Sequence, residues 1–216
     1  MSNQSLYTYE GTDVLKNKFD IKDQRELNEL ERLVTTAKLA ELELNPIKGE
    51  FDLKHLQKIH KHLFEDIYEF AGQIRQEQIA KDFFSFADAR FIESQANELF
   101  KQLKQENHLK PNQIDIMNKE HFSERAAHYL AEINVLHPFR EGNGRSQREF
   151  IRSLGKNAGY KIEWNRVSKR EMMGAMIKSH ANTEALENLI KSIVTPIQKN
   201  TSKTMVRQQQ SDLERG

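Results

Sequence analysis

Cysteine is absent from the 216 residues. That excludes a disulfide framework and any zinc site built on thiolates, and it suits a reducing compartment. Glycine and proline are scarce, at 9 and 4. A sheet protein full of tight turns needs more of both, so the expectation moves to helix. Neither sign of charge is in excess: Lys plus Arg number 33, Asp plus Glu 32. A protein that grips nucleic acid through overall charge carries a clear basic surplus. Direct nucleic-acid binding is therefore not expected, and any anion must be held by a local site. No run of about 18 apolar residues occurs, so no membrane span is expected. The start, Met1-Ser2-Asn3-Gln4, has no apolar stretch, so no signal peptide is expected either.

What remains is enough for a core. There are 12 Phe with many Leu and Ile, too many for wholesale disorder. Residues 1–22 read as an irregular N-terminal segment, 23–196 as one helical domain, and 197–216 as a polar tail. Asp23-Gln24-Arg25-Glu26 and Ser168-Lys169-Arg170-Glu171 are capping boxes that announce helices. Leu27, Leu30, Val34 and Ala37 follow the first at helical spacing. A second helix starts at Asp52, and its apolar content runs on to Ala71-Gly72. Gln73 to Ala87 loses helical spacing and predicts a small hairpin. Helical spacing resumes from Phe91 to Leu103, from Phe122 to Leu136, from Phe150 to Leu154, after Ser168 and after Thr183. Met172, Met173, Met176 and Ile177 read as core. His55, His60 and His62 have no metal-ligand spacing and read as solvated or packing residues. The sum is an all-α bundle of about seven helices with one short β-hairpin.

One stretch carries chemistry: His137-Pro138-Phe139-Arg140-Glu141-Gly142-Asn143-Gly144-Arg145-Ser146-Gln147-Arg148. Pro138 stops the preceding helix. Gly142 and Gly144 allow backbone conformations closed to other residues and let a ligand approach. A helix begins near Gly144, and its free N–H groups make a ready anion site. Arg145 and Arg148, three apart, add two guanidinium forks on one face. Asn143 can donate to an oxygen. Glu141, an acid among phosphate-binding groups, suits Mg²⁺ held together with substrate phosphates. His137 can accept a proton from an attacking hydroxyl. Phe139 anchors the loop from below. Together these groups describe transfer of a phosphorus-centred group from a Mg-nucleotide to a hydroxyl.

This stretch resembles the signature loop of the Fic domain family, His-x-Phe-x-(Asp/Glu)-Gly-Asn-(Gly/Lys)-Arg-x-x-Arg, at every specified position. The resemblance extends from about Tyr7 to about Val194. Phe64 to Gly72 with Ile74-Arg75 looks like the family's approach to its hairpin, and Ile79 to Phe86 like the hairpin itself, the flap. The resemblance implies a protein adenylyltransferase, moving AMP from the co-substrate ATP to a Ser, Thr or Tyr hydroxyl of a target protein. It implies His137 as the base and Glu141 as the Mg²⁺ ligand. It implies Gly142, Asn143 and Gly144 at the α- and β-phosphates, Arg145 at the β-phosphate and Arg148 at the γ-phosphate. Flap residues Ile79, Ala80, Lys81 and Asp82 would align the target chain as an added strand. Targets in the family include topoisomerase subunits and host GTPases. A cytoplasmic protein is implied, or one translocated into a host cell if the chain is part of an effector.

Fic enzymes are commonly held off by a glutamate from a (Ser/Thr)-x-x-x-Glu-(Gly/Asn) helix that pairs with the second arginine, here Arg148. Thr183-Glu184-Ala185-Leu186-Glu187-Asn188 fits that string, which makes Glu187 a candidate inhibitory residue. An N-cap followed by acids is also ordinary helix grammar. The favoured expectation is a toxin or effector inhibited in trans by a small antitoxin protein. The alternatives are intramolecular inhibition through Glu187, a different nucleotide donor, and a non-catalytic nucleotide-binding module.

Overall fold

The computed structural model describes residues 5–81, 84–111 and 118–197. Residues 198–216 of the polar tail, and Asp82 and Phe83 of the flap, lie outside the described residues. The first helix, α1 (Gln24–Leu44), opens on Asp23, whose carboxylate accepts from the N–H groups of Arg25 and Glu26 at 2.9 and 3.0 Å. Asp52 caps α2 (Leu53–Phe64) in the same way, accepting from His55 N–H at 2.8 Å. Such caps satisfy N–H groups that have no partner inside the helix.

The second helix stops at Phe64, earlier than its apolar content suggests. Ile67, Tyr68 and Phe70 are buried all the same. They lie in a tight return that ends at Gly72, with φ +80°. Two side chains of α2 hold that return: Gln57 donates to Gly72 O at 2.9 Å, and His60 Nδ1 accepts from Gly72 N–H at 2.7 Å. Apolar spacing records burial, and here the burial belongs to a turn.

The expected hairpin forms from β1 (Ala80–Lys81) and β2 (Phe84–Ser85), antiparallel, with Ala80 opposite Ser85. Then come α3 (Ile92–Gln105), α4 (Lys119–Leu136), α5 (Asn143–Ala158), β3 (Tyr160–Ile162), α6 (Lys169–Lys178), α7 (Glu184–Ile193) and β4 (Val194–Pro196). The described residues thus hold seven α-helices, as expected. A second sheet was not expected: β3 and β4 pair antiparallel, with Ile162 opposite Val194. Three residues are too few for a period-2 pattern to stand out in a sequence.

Helices α4 and α5 lie at the centre. The central helix α4 buries Phe122, Ala126, Tyr129, Leu130 and Ile133 along its length. It packs on α5 and α7, while α2 crosses α5 and α1 covers α2. Phe122, Phe139, Phe150, Leu56 and Leu154 are fully buried in one continuous core. Burial of each such side chain contributes about 1.5–3 kcal/mol. The capping box at Ser168 is complete, with both reciprocal bonds present. The methionine-rich helix α6 departs from expectation: Met172 is buried, but Met173 and Ile177 are exposed. The helix packs chiefly against α7, with Met176 partly buried against the core, and Met173 and Ile177 are left facing solvent. Among the described residues no helix is long and apolar enough to cross a membrane.

Candidate active site

The loop between α4 and α5 is built as part of the core. His137 ends α4 in the left-handed region, φ 43°, with its N–H on Ile133 O. Its Nδ1 lies 3.3 Å from the carbonyl of Asn134. A carbonyl only accepts, so Nδ1 carries the ring proton and the lone pair sits on Nε2. The imidazole stacks on Phe86 at the base of the flap, centroids 3.7 Å apart and planes at 18°.

Beneath the loop, Phe139 is fully buried and stacks on His60 at 3.9 Å, and His60 stacks in turn on Phe64 at 4.7 Å. His60 is wired at both ends. Gly72 N–H donates to Nδ1, so Nε2 carries the proton and donates to Glu141 O at 2.9 Å. Burial pushes this imidazole down to about 4, with the Glu141 carbonyl opposing and Arg145 assisting. His60 is therefore neutral in the fold and charged in the unfolded chain below about 6.5. Stability rises with pH across that window and is lost as pH falls from about 6.5 toward 4. Urea unfolding is expected to show a loss of about 2 kcal/mol from this residue between pH 7 and pH 5. His60→Gln should remove that share; an unchanged pH slope would refute the assignment.

Arg75 secures the loop from the other side. It is 2% exposed. Its Nε donates to His137 O at 2.8 Å, its Nη1 to Glu77 O at 2.7 Å, and its Nη2 to the carbonyls of Ala87 and Leu136. Its own N–H donates to Pro138 O at 2.9 Å. One guanidinium thus joins the loop to both ends of the flap segment.

Gly142 caps α5 with φ +78°. A Cβ there would lie 2.2 Å from Phe64 Cζ, so only glycine lets α5 start this close to α2. The N–H groups of Asn143 and Gly144 have no acceptor among the described residues and open the helix toward solvent. The side chain of Asn143 is not part of that opening. It is 3% exposed and clamps Phe139, its Oδ1 accepting from Phe139 N–H at 2.9 Å and its Nδ2 donating to Phe139 O at 2.7 Å. The side chain thus clamps the loop, and it is the Asn143 N–H that opens toward the nest.

Glu141 stands at the rim, its side chain 42% exposed. Its Oε1 accepts from Gly142 N–H at 2.9 Å and lies 3.4 Å from Arg145 Nη2. Arg145 lies over the Phe64 ring at 4.7 Å and is paired with Glu31 of α1. Arg148 is half-buried, and its guanidinium has no acceptor among the described residues. Its Nη1 would lie 3.2 Å from a Cβ on Gly144, so it folds back over the open helix end. Burial, then Arg145, lowers its pKa. An unpaired guanidinium beside bare N–H groups is a site for an anion.

The structure brings His137, Glu141, Gly142, Gly144, Arg145 and Arg148 together and separates Glu187 from them. Glu187 accepts from Thr183 Oγ1 at 2.6 Å and lines a cleft with Asn118, His121 and Lys191 at the N-terminal end of α4. The 18 residues of α4 span about 27 Å to His137 at the other end. Glu187 is thus an N-terminal acid of α7, and intramolecular inhibition through it is not supported by this geometry. Sequence reasoning missed Phe86, His60, Arg75, Glu31 and Tyr68 as parts of the site. A lone Arg in an apolar approach to the hairpin could have marked Arg75; nothing in the sequence marked Glu31.

Fold and loop together define a helical domain that carries an open helix end and two arginines between its two central helices. The chain belongs to the Fic/DOC family, whose sequence model matches residues 50–154. It is 44% identical over 190 residues to the protein adenylyltransferase VbhT of Bartonella schoenbuchensis, a match that takes in 88% of this chain and 39% of VbhT. It is 39% identical over 171 residues to the "Probable protein adenylyltransferase y4lH" of Sinorhizobium fredii, covering 79% of this chain and 85% of that one. Among solved structures, the Bartonella tribocorum effector BepC, with bound AMPPNP, superimposes with a TM-score of 0.80 at 30% identity, covering 89% of this chain and 97% of that one.

Proposed function

We propose that this Fic-family adenylyltransferase moves AMP from Mg-ATP to a Ser, Thr or Tyr hydroxyl of a target protein. The observation that carries the reading is the pair of bare N–H groups on Asn143 and Gly144, overhung by the unpaired guanidinium of Arg148, with His137 and Glu141 on the same loop. The helix end and Arg145 would hold the α- and β-phosphates, and Arg148 the γ-phosphate. Nε2 of His137 takes the proton of the target hydroxyl as its oxygen bonds the α-phosphorus. Pyrophosphate leaves with the α–β bridging oxygen. Phe86 and the Asn134 carbonyl fix the ring for that step.

Among the described residues no cluster of three His, Asp or Glu cages a metal by itself. A single rim carboxylate beside a phosphate nest suits Mg²⁺, which takes one or two carboxylates and completes its shell with phosphate oxygens and water. Glu141 would hold it, and when bound it neutralises charge that develops on the α–β bridge. The hairpin of β1 and β2 offers an edge to which an extended target segment can add as a strand.

Glu187 is remote and Arg148 lacks a carboxylate partner among the described residues, which supports inhibition in trans by a small antitoxin protein. The site of action is then cytoplasmic, in the producing cell or in a host that receives the chain. The test is incubation of the purified chain with α-labelled ATP and a bacterial lysate. A labelled protein band is expected, with equal labelling by Glu187→Gly. Strong activation by Glu187→Gly would restore the intramolecular brake, and absence of label with bound nucleotide would favour a binding module.

A further inference from the structure

The two arginines of the loop are held very differently. Arg148 has no acceptor among the described residues, whereas Arg145 is gripped on several sides. Phe64 lies beneath its guanidinium at 4.7 Å, Thr35 Oγ1 accepts from Nη1 at 3.3 Å, and Glu31 Oε2 accepts from Nη2. Glu31 and Thr35 both come from α1, outside the segment that the family model matches. Glu31 is itself fixed. It is 7% exposed, and its other oxygen accepts from the hydroxyl of Tyr68. Tyr68 is 1% exposed and stacks on Phe70 at 4.7 Å. Burial, then the Glu31 carboxylate, pushes the tyrosine pKa well above its usual range, so it remains a donor.

A carboxylate this deep in the protein is costly unless it is paired and hydrogen-bonded. An arginine side chain left to itself samples many rotamers, and ordering it on binding costs affinity. We infer that Glu31 is a positioning residue for the triphosphate: held by Tyr68 and acting beside Thr35, it fixes the Arg145 fork before nucleotide arrives. Two Arg145 nitrogens are engaged by α1 and Nη2 also reaches Glu141, which leaves Nε–H and one Nη1–H of the fork for phosphate. The inference rests on the nucleotide-binding reading of the loop.

The experiment is titration of the intact protein with a non-hydrolysable ATP analogue. Wild type, Glu31→Gln, Arg145→Ala and the double variant are compared, with labelling kinetics run alongside. Wild-type binding checks the reading of the loop by itself; its absence would sink that reading, and this inference with it. If the wild type binds, Glu31→Gln should weaken the analogue about tenfold, the scale of one charge-assisted bond. It should raise KM for ATP more than it lowers kcat. The double variant should bind no more weakly than Arg145→Ala alone, because Glu31 acts only through Arg145. Glu31→Asp, which keeps the charge, should recover part of the loss. Equal affinity of Glu31→Gln and wild type would overturn the proposal, as would losses that multiply in the double variant. Tyr68→Phe keeps the ring packing and removes only the hydroxyl. It should give a smaller loss of the same kind, and wild-type affinity in that variant would remove Tyr68 from the argument.

Discussion

His137→Ala is expected to abolish AMP transfer while the protein still binds nucleotide. The imidazole ends α4 and stacks on Phe86, whereas the anion nest is formed by Asn143, Gly144 and Arg148 at the start of α5. Removing it deletes the proton acceptor and leaves the anion grip alone. General-base catalysis contributes about 10²–10⁴-fold, so labelling with α-labelled ATP should fall by that factor. Affinity for an ATP analogue, measured by calorimetry, should change by no more than about twofold, since no phosphate contact is lost. Labelling that survives would mean that another group takes the proton. Loss of binding would mean that the ring supports the nest.

The second large effect falls on stability. Gly142→Ala puts a Cβ 2.2 Å from Phe64 Cζ and 2.3 Å from Cε2, on a backbone with φ +78°. Phe64 is fully buried between His60 and the Arg145 guanidinium and has nowhere to move. Overpacking costs about 1–3 kcal/mol, and the left-handed backbone adds about 1 kcal/mol for a residue with a Cβ. The sum, about 3 kcal/mol, corresponds to a fall in Tm of roughly 10 °C. Gly159→Ala separates the two causes. It shares the positive φ, +88°, but nothing lies within 4 Å of its Cβ, so only the backbone share should appear. If the two variants melt alike, close approach to Phe64 is not what holds Gly142 as glycine. Gly142→Ala should also lose nucleotide, because α5 can no longer begin where its N–H groups frame the nest.

The loop was legible in the sequence because its chemistry is local. Base, acid, glycines and arginines fall within twelve consecutive residues, and short-range order needs no tertiary knowledge. The helices were legible for a related reason: Asp23, Asp52 and Ser168 announce starts, and amphipathic spacing marks the rest. The supports of the loop were not legible. Glu31 precedes Arg145 by 114 residues and Arg75 precedes His137 by 62, and no spacing rule reaches so far. His60 reads as a packing residue from sequence, and packing is half of what it does; the hydrogen bond to Glu141 O appears only in three dimensions. The clamp that Asn143 makes was not legible for a different reason. Its amide can satisfy phosphate or main chain equally well, and a clamp on Phe139 four residues back is a choice that folding makes.

Arg75 changes how the loop behaves in time. A surface connection between two helices is ordinarily the part of a domain that opens most readily. Here one buried guanidinium holds four carbonyls, from Glu77, Ala87, Leu136 and His137, so the segment that carries the chemistry is tied down like core. Opening it means leaving a charged group buried without acceptors, and that is an event on the scale of unfolding. A nucleotide bound there would meet a site whose shape already exists, the entropy of shaping it having been lost once, when the chain folded.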